Sequence, residues 1–304
     1  MPRLALHARR ESHPGAGRSR PRGEGRGARA PEHALKRSLR VAVVGHVEWV
    51  QFARVEHVPA PGDIVQASEA WEEAAGGGGV SVVQLLRAAG AATFFTALGD
   101  DEYGHRAYEQ LTGLGVRVEA AFRPEPQRRG FIFVDAAAER TITLIGDKAR
   151  PRRDEPLPWA ELADYDAVYF CAGDPDALRA ARAARVLVAT ARELPTLRAG
   201  GVVLDALVAS ARDPSERYAG ELDPEPRLVA RTEGASGGAY EPGSGRWKAV
   251  PPPGPVRDAY GAGDSFAAGL AYALAEGRPR DDALAVAAAW GAAALTRPGA
   301  HGER

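Results

Sequence analysis

The 304-residue chain has a single cysteine, Cys171, which excludes an intramolecular disulfide as a source of stability. Beside Ala167-Val168-Tyr169-Phe170 that thiol reads as a buried structural group in a cytoplasmic protein. Long apolar runs are also missing. The strongest near the C-terminus, Ala283 to Leu295, is too short to span a bilayer and suits a buried helix, so no membrane partner is expected. No Gly-x-x-x-x-Gly-Lys-Ser/Thr loop occurs, which leaves P-loop chemistry unsupported. Val41–Val44 does not lead into a Gly-x-Gly-x-x-Gly fingerprint, so an oxidoreductase with a dinucleotide site has little to stand on. The seven histidines form no compact series. The spacing of His46 and His57 matches no zinc motif, and both read as loop or pocket-wall residues.

Hydrophobic residues make up 45% and charged residues 26% of the chain, the balance of an ordinary soluble protein with one large core. The charge is uneven. Residues 1–40 hold 11 Arg or Lys against 3 Glu, with 5 Gly and 4 Pro, and residues 1–38 are expected to be a disordered basic extension, added upstream or reflecting a misassigned start. The stretch has no continuous apolar segment and so does not read as a secretory signal. Residues 41–304 keep 28 basic against 37 acidic residues, a formal charge of −9. An acidic body gives no electrostatic reason to expect nucleic acid as a partner.

From residue 39 onward, strand and helix signals alternate. Leu39–Gly45 reads as a central strand, Ser81–Gly90 as a helix with a glycine stop, Ala92–Gly99 as a strand, and about Tyr103–Leu114 as a helix followed by Val116–Glu119. Beyond Pro151 the alternation resumes through Ala167–Phe170, a helix over Pro175–Arg185, Val186–Ala189 and a strand over Gly201–Asp205. This order predicts an α/β protein, a three-layer α/β/α core with right-handed crossovers. Gly130–Val134 and Arg140–Ile145 have no helix between them and predict a hairpin outside the main sheet. Together with residues 47–70, a stretch of about 128–146 is expected to form a small β-sheet lid within a domain of residues 39–304. No internal repeat is convincing.

The most informative span is Asp258-Ala259-Tyr260-Gly261-Ala262-Gly263-Asp264, which runs into an apolar helix pattern from Ser265 to Ala275. A small-residue turn there exposes the first N–H groups of a helix, an anion site. A carboxylate inside such a site does not hold the anion; its use is to take a proton from whatever attacks it. The bland alternative is an ordinary helix cap in which Asp264 serves only its own helix.

This span resembles the Asp-Thr-x-Gly-Ala-Gly-Asp signature of the ribokinase-like sugar kinases, the PfkB carbohydrate kinase family, with Ala259 in place of the hydroxyl residue. The resemblance implies a general base at Asp264 and an anion hole at Gly261, Ala262 and Gly263. It extends to Gly76-Gly77-Gly78-Gly79-Val80-Ser81, similar to the family's Gly-Gly-x-Gly-x-Asn element along the sugar, where Ser81 replaces Asn. It also covers Gly45 to Asp63, with Pro59-Ala60-Pro61-Gly62-Asp63, and Gly99-Asp100-Asp101-Glu102-Tyr103-Gly104. Implied substrate contacts are therefore Gly77, Gly78 and Ser81, together with Val50, which stands where members often carry a sugar-gripping Asp, and Glu48 two residues earlier.

Asp213-Pro214-Ser215-Glu216 resembles the family's Asn-x-x-Glu element, which implies Mg²⁺ organisation by Glu216 and Asp213; a helix-start cap explains the same acids without metal. Thr232-Glu233-Gly234-Ala235-Ser236-Gly237-Gly238 resembles a Thr-x-Gly-x-x-Gly turn beside ATP, which implies nucleotide contacts at Thr232, Gly234 and Gly237. Arg129, entering the covering hairpin, is a further candidate beside the reading of a solvated edge charge. The implied cofactors are ATP and Mg²⁺, with a monovalent cation as an optional third. The implied reaction is phosphorylation of a small-molecule alcohol, a sugar or nucleoside. A homodimer through the small β layer follows from the resemblance too, although a monomer also fits the chain. The competing reading is a small-molecule sensor that kept the fold and lost catalysis, motivated by Val50, Ser81 and Ala259.

Overall fold

A computed structural model describes residues 38–302; the basic stretch 1–37 lies outside the described residues. The first half of the domain contains strands β1 (Val41–Val44), β2 (Glu48–Arg54) and β3 (Glu69–Ala75), helix α1 (Gly76–Ala89), strand β4 (Thr93–Gly99), helix α2 (Glu102–Gly113) and strands β5 (Arg117–Arg123), β6 (Arg129–Val134) and β7 (Arg140–Ile145). The second half contains β8 (Ala167–Phe170), α3 (Pro175–Ala181), β9 (Val186–Thr190), α4 (Leu194–Gly200), β10 (Ala206–Ser210), β11 (Val229–Thr232), β12 (Gly238–Glu241), β13 (Gly245–Trp247), α5 (Ala262–Ala275) and α6 (Arg280–Ala294).

The main sheet runs β13-β12-β11-β10-β9-β8-β1-β4-β5, and its strands from β11 to β5 are parallel. Its central strands are apolar without alternation because both faces are covered. Val41 and Val43 enter one core with α1, α2, α5 and α6, whereas Ala42 and Val44 enter a second core that contains α3 and α4. That division produces the three-layer α/β/α architecture. Close packing of α5 on α6 depends on small residues; a methyl on Gly269 would lie 3.0 Å from the Trp290 ring.

The smaller sheet, β3-β2-β6-β7, contains the expected hairpin as β6 and β7. Its β3 strand reaches Ala75, beyond the 47–70 stretch, and delivers the chain directly into α1. The glycine cluster therefore forms the first turn of that helix instead of a loop before it.

Two sequence expectations change. The strand expected at Gly201–Asp205 is a connector, and pairing begins at Ala206. Gly201 closes α4 in the left-handed region (φ 61°), and Leu204 is buried without joining the ladder. The carboxylate of Asp205 instead accepts the Leu187 N–H at 2.8 Å and a hydrogen bond from Arg182 at 2.8 Å. The helix expected to reach Arg185 stops at Ala181, where Arg182 turns to bind the carbonyls of Val203 and Ala184. Among the described residues no helix is long and apolar enough to cross a membrane.

Candidate active site

The chain proceeds from β1 to β4 and β5 on one side of the sheet and through β8, β9, β10 and β11 on the other, so the strand order reverses between β1 and β8. In open parallel sheets, ligands bind outside the carboxyl ends of the strands at such a point. A cavity of about 630 Å³ lies there, bounded by His46 after β1, Cys171 after β8 and Thr190, Ser210 and Thr232 at the ends of β9, β10 and β11. The small sheet covers it with Glu48, Ile142 and Leu144. Cys171 is a buried free thiol, and burial pushes its pKa well up.

Helix α5 opens at the cavity. Gly261 takes φ 72°, and a methyl on it would meet Val80 at 2.9 Å, so glycine satisfies both the turn and the packing. The Ser265 N–H donates to the Gly261 carbonyl at 2.8 Å, which leaves the preceding amides of Ala262, Gly263 and Asp264 at the helix mouth. A methyl on Gly263 would meet nothing within 4 Å, so the space beside its Cα is open. The Asp264 side chain lines the same cavity. Burial, reinforced by the Glu216 charge and opposed by Arg192 and Arg140, pushes its carboxyl up to about 6.

Asp213 and Glu216 also line the cavity, but Pro214–Glu216 is a single 3₁₀ turn. Both carboxylates accept from Arg192, whose Nη2 lies 2.8 Å from Asp213 Oδ2 and whose Nε lies 2.9 Å from Glu216 Oε1. Asp213 additionally caps the Ser215 N–H at 2.9 Å. Burial opposes ionisation of Asp213, yet Ser215 and Arg192 together hold it below its ordinary value. Among the described residues no group of three or more His, Cys, Asp or Glu side chains forms a metal cage. Two cavity carboxylates nevertheless fit Mg²⁺, which commonly takes one or two protein carboxylates and completes its shell with phosphate oxygens and water.

Thr232 lines the cavity and donates its hydroxyl to the Ala209 carbonyl at 3.2 Å. Gly234 (φ 63°) and Gly237 (φ 86°) shape the reversal from β11 into antiparallel β12 and do not line the cavity.

On the lid side, Glu48 is nearly buried and approaches His46 at 3.6 Å and Arg128 at 3.2 Å. Burial disfavours its charge, but the His46 ring and Arg128 outweigh it and hold the carboxyl low. Burial lowers the His46 pKa, and its buried Nδ1 has no hydrogen-bond partner. Gly77 lines the cavity, whereas Gly78 packs against the His46 carbonyl and the Phe94 ring.

Val50 and Ser81 do not stand where the resemblance put them. Val50 is fully buried among Phe52, Val80 and Ile132, and Ser81 donates its hydroxyl to the Asp264 carbonyl at 3.2 Å. One fills the lid core and the other ties α1 to α5. Arg129 points to the opposite face of the small sheet and stacks over Tyr103 at 4.8 Å; its neighbour Arg128 faces the cavity. Arg128, Arg140, Lys148 and Arg192 are cavity residues that sequence reasoning missed. Strand alternation from Ile132 through Val134 to its register partner Arg140 carries the signal for Arg140.

The remaining motif residues are structural. Asp101 caps α2 by accepting the Gly104 N–H at 2.9 Å, and a methyl on Gly104 would collide with the Gly99 carbonyl. Asp258 is fully buried and accepts the N–H groups of Tyr260 at 2.8 Å and Gly299 at 2.9 Å, bracing the turn before α5.

A lidded α/β/α sheet with a carboxylate at a helix mouth is the architecture of the sugar and nucleoside kinases of the ribokinase fold. Residues 38–213 and 213–303 match the pfkB family carbohydrate kinases, and the chain belongs to that family. Its fold resembles that of a putative ribokinase from Agrobacterium tumefaciens (TM-score 0.73, 22% identity, 87% of this chain and 94% of that one). It also resembles adenosine kinase from Sinorhizobium meliloti (TM-score 0.68, 18% identity, 87% and 98%). Ribokinase from Arabidopsis thaliana, solved with ribose and ATP, gives a TM-score of 0.65 at 19% identity over 86% and 94% of the two chains. A comparison with curated protein sequences found no match.

Proposed function

We propose that this protein is an ATP-dependent kinase that phosphorylates an alcohol group of a sugar or nucleoside. The observation that carries the reading is the position of Asp264: its carboxylate lines the cavity from the first turn of α5, beside amides that precede the first helical hydrogen bond. Family membership and the nucleotide-bound ribokinase of the same fold support ATP as the donor.

Asp264 takes the proton of the attacking hydroxyl, for which a carboxyl near 6 is ionised yet more basic than an exposed aspartate. The amides of Ala262, Gly263 and Asp264 donate toward charge developing on the transferring phosphoryl oxygens, each such donor contributing about 3 kcal/mol to the transition state. Gly263 adds no side chain of its own to the open space beside it. Thr232 lines the nucleotide end, and Asp213 and Glu216 supply carboxylate oxygens there, for which Arg192 competes with the metal. ATP would supply the phosphoryl group and Mg²⁺ would offset its charge. A monovalent cation would need backbone oxygens, because no carboxylate cage exists among the described residues.

The sensor reading is less supported by two of its motives. Val50 packs in the lid core and Ser81 bonds the Asp264 carbonyl, which favours structural roles for both over ligand contact. The deciding experiment incubates the purified protein with ATP, Mg²⁺ and a panel of sugars, nucleosides and small alcohols, and identifies products by mass. A phosphorylated product that disappears in Asp264→Asn supports the kinase. Tight metabolite binding with neither ADP nor phosphorylated product across the panel supports the sensor.

A further inference from the structure

The cavity wall formed by the small sheet and the residues flanking β6 and β7 is rich in cations. Arg128, Arg140 and Lys148 line it, against one lining carboxylate, Glu48, which Arg128 already approaches. Lys148 lies 2.8 Å from Glu193, and Arg150 lies 3.3 Å from that same carboxylate, so one anion serves two cations. Among the described residues Arg140 meets the carbonyl of Ala259 and no carboxylate. Three lining cations and Arg150, the second partner of Glu193, thus share Glu48 and Glu193, with Asp264, on which the Arg140 charge also acts, as the third carboxylate within reach.

Arginine and lysine are donors only. A neutral polyol brings hydroxyl hydrogens that need acceptors, and besides Asp264, committed to the attacking hydroxyl, this wall offers the carboxylate of Glu48. An anionic group brings acceptors alone, and its charge-assisted hydrogen bonds are roughly twice as strong as neutral ones. Ile142 and Leu144, 41% and 45% exposed on the same wall, supply apolar surface for the C–H face of a ring or chain.

Resting on the kinase reading above, we propose that the alcohol acceptor carries a fixed negative group, a carboxylate or a phosphate, held by Arg128, Arg140 and Lys148. Glu48 then orients a hydroxyl of the same molecule while Asp264 deprotonates the one that attacks.

The test uses the full-length protein with ATP and Mg²⁺ on matched acceptors: glucose against gluconate for a carboxylate, fructose against fructose 6-phosphate for a phosphate, and adenosine as a neutral nucleoside. Turnover is followed by ADP release and product mass, acceptor binding by calorimetry, and nucleotide binding separately with a fluorescent ATP analogue. The expected result is an anionic acceptor favoured at least tenfold in kcat/KM, or in affinity where turnover is undetectable. Arg140→Gln and Lys148→Gln should each weaken that acceptor's KM or Kd about tenfold, with substantial recovery in Lys148→Arg. Preference for a neutral acceptor, failure to bind either anionic probe, or unchanged acceptor affinity in both Gln variants overturns the assignment. Phosphorylation of neutral acceptors alone overturns it while leaving the kinase reading intact. Loss of nucleotide binding together with all turnover removes both.

Discussion

A methyl group on Gly77 would lie 2.8 Å from Oδ1 of Asp264, so the first turn of α1 is the seat on which the carboxylate rests. Alanine is favoured over glycine in a helix by roughly 0.5–1 kcal/mol, and Gly77 does not occupy the left-handed region. Gly77→Ala should therefore fold with an unchanged or slightly raised Tm while displacing the carboxylate. Since a displacement of about 1 Å can cost on the order of 100-fold in rate, kcat should fall at least tenfold. Full kcat in a folded Gly77→Ala protein would show that the seat does not set the base.

The pH profile follows from the Asp264 carboxyl near 6. Log kcat/KM should rise with slope one below about pH 6 and level off above it, because the proton acceptor is the ionised form. Asp264→Asn should abolish this limb and lower turnover roughly 100- to 10,000-fold. Stability moves the opposite way. The folded carboxyl binds its proton more tightly than the unfolded one, so its contribution is fully present below the unfolded value of about 4 and is lost as pH rises through 6. Removing the charge in Asp264→Asn should raise stability at pH 7 by about 3 kcal/mol, measurable by urea unfolding, with little effect at pH 4. An acidic limb that persists in Asp264→Asn assigns the titration to another group.

The core layers were legible in the sequence because doubly covered strands are apolar without interruption: β8 and β9 fall within one residue of the expected positions, and β1 lies inside the expected Leu39–Gly45. Gly201–Asp205 misled for the same reason: Val202-Val203-Leu204 looks like a strand, but it is a connector whose Val202 and Leu204 side chains pack into the core. At the site, the carboxylate and glycine turn could be seen because their chemistry is local. The assignment of Val50 failed because a residue counted along a motif says nothing about which lid residues meet the core. Arg128 and Arg129 were interchanged by one residue of strand parity, and a single-residue shift reverses which face a side chain occupies. Arg192 carried no local signal at all; only the adjacency of β9 and β10 brings it to Asp213 and Glu216.

That arginine competes for the carboxylates proposed to accompany Mg²⁺. Glu216→Gln should raise the Mg²⁺ concentration for half-maximal turnover several-fold, since it removes an anionic oxygen donor from the cavity. Arg192→Gln should lower that concentration by freeing both acids. Its stability cost should stay within about 1 kcal/mol, because the ion pairs are partly exposed. Magnesium titration of ADP formation separates the two variants; equal half-saturation in both and in the parent would detach these residues from the metal.

The lid hinge makes the last test. Gln127 is 2% exposed; its Oε1 accepts the Gly99 N–H at 3.0 Å and its Nε2 donates to the Val47 carbonyl at 2.8 Å. The side chain thus joins the end of β4 to the connector that leads from the large sheet into the lid, and Asp101 accepts the Gln127 N–H at 3.0 Å from the other side. Gln127→Ala strands a buried N–H and a buried carbonyl, at a cost of about 2–3 kcal/mol, which should lower Tm by roughly 4–10 °C for a domain of this size. Because the same bonds aim Glu48 at the cavity, KM for the acceptor should rise more than KM for ATP. Gln127→Glu keeps an acceptor for Gly99 but sets a carboxylate against the Val47 carbonyl, so its Tm should fall as well and its acceptor KM should rise again. A Gln127→Ala protein that loses stability while both KM values stay unchanged would confine the residue to holding the fold and sever the hinge from substrate binding.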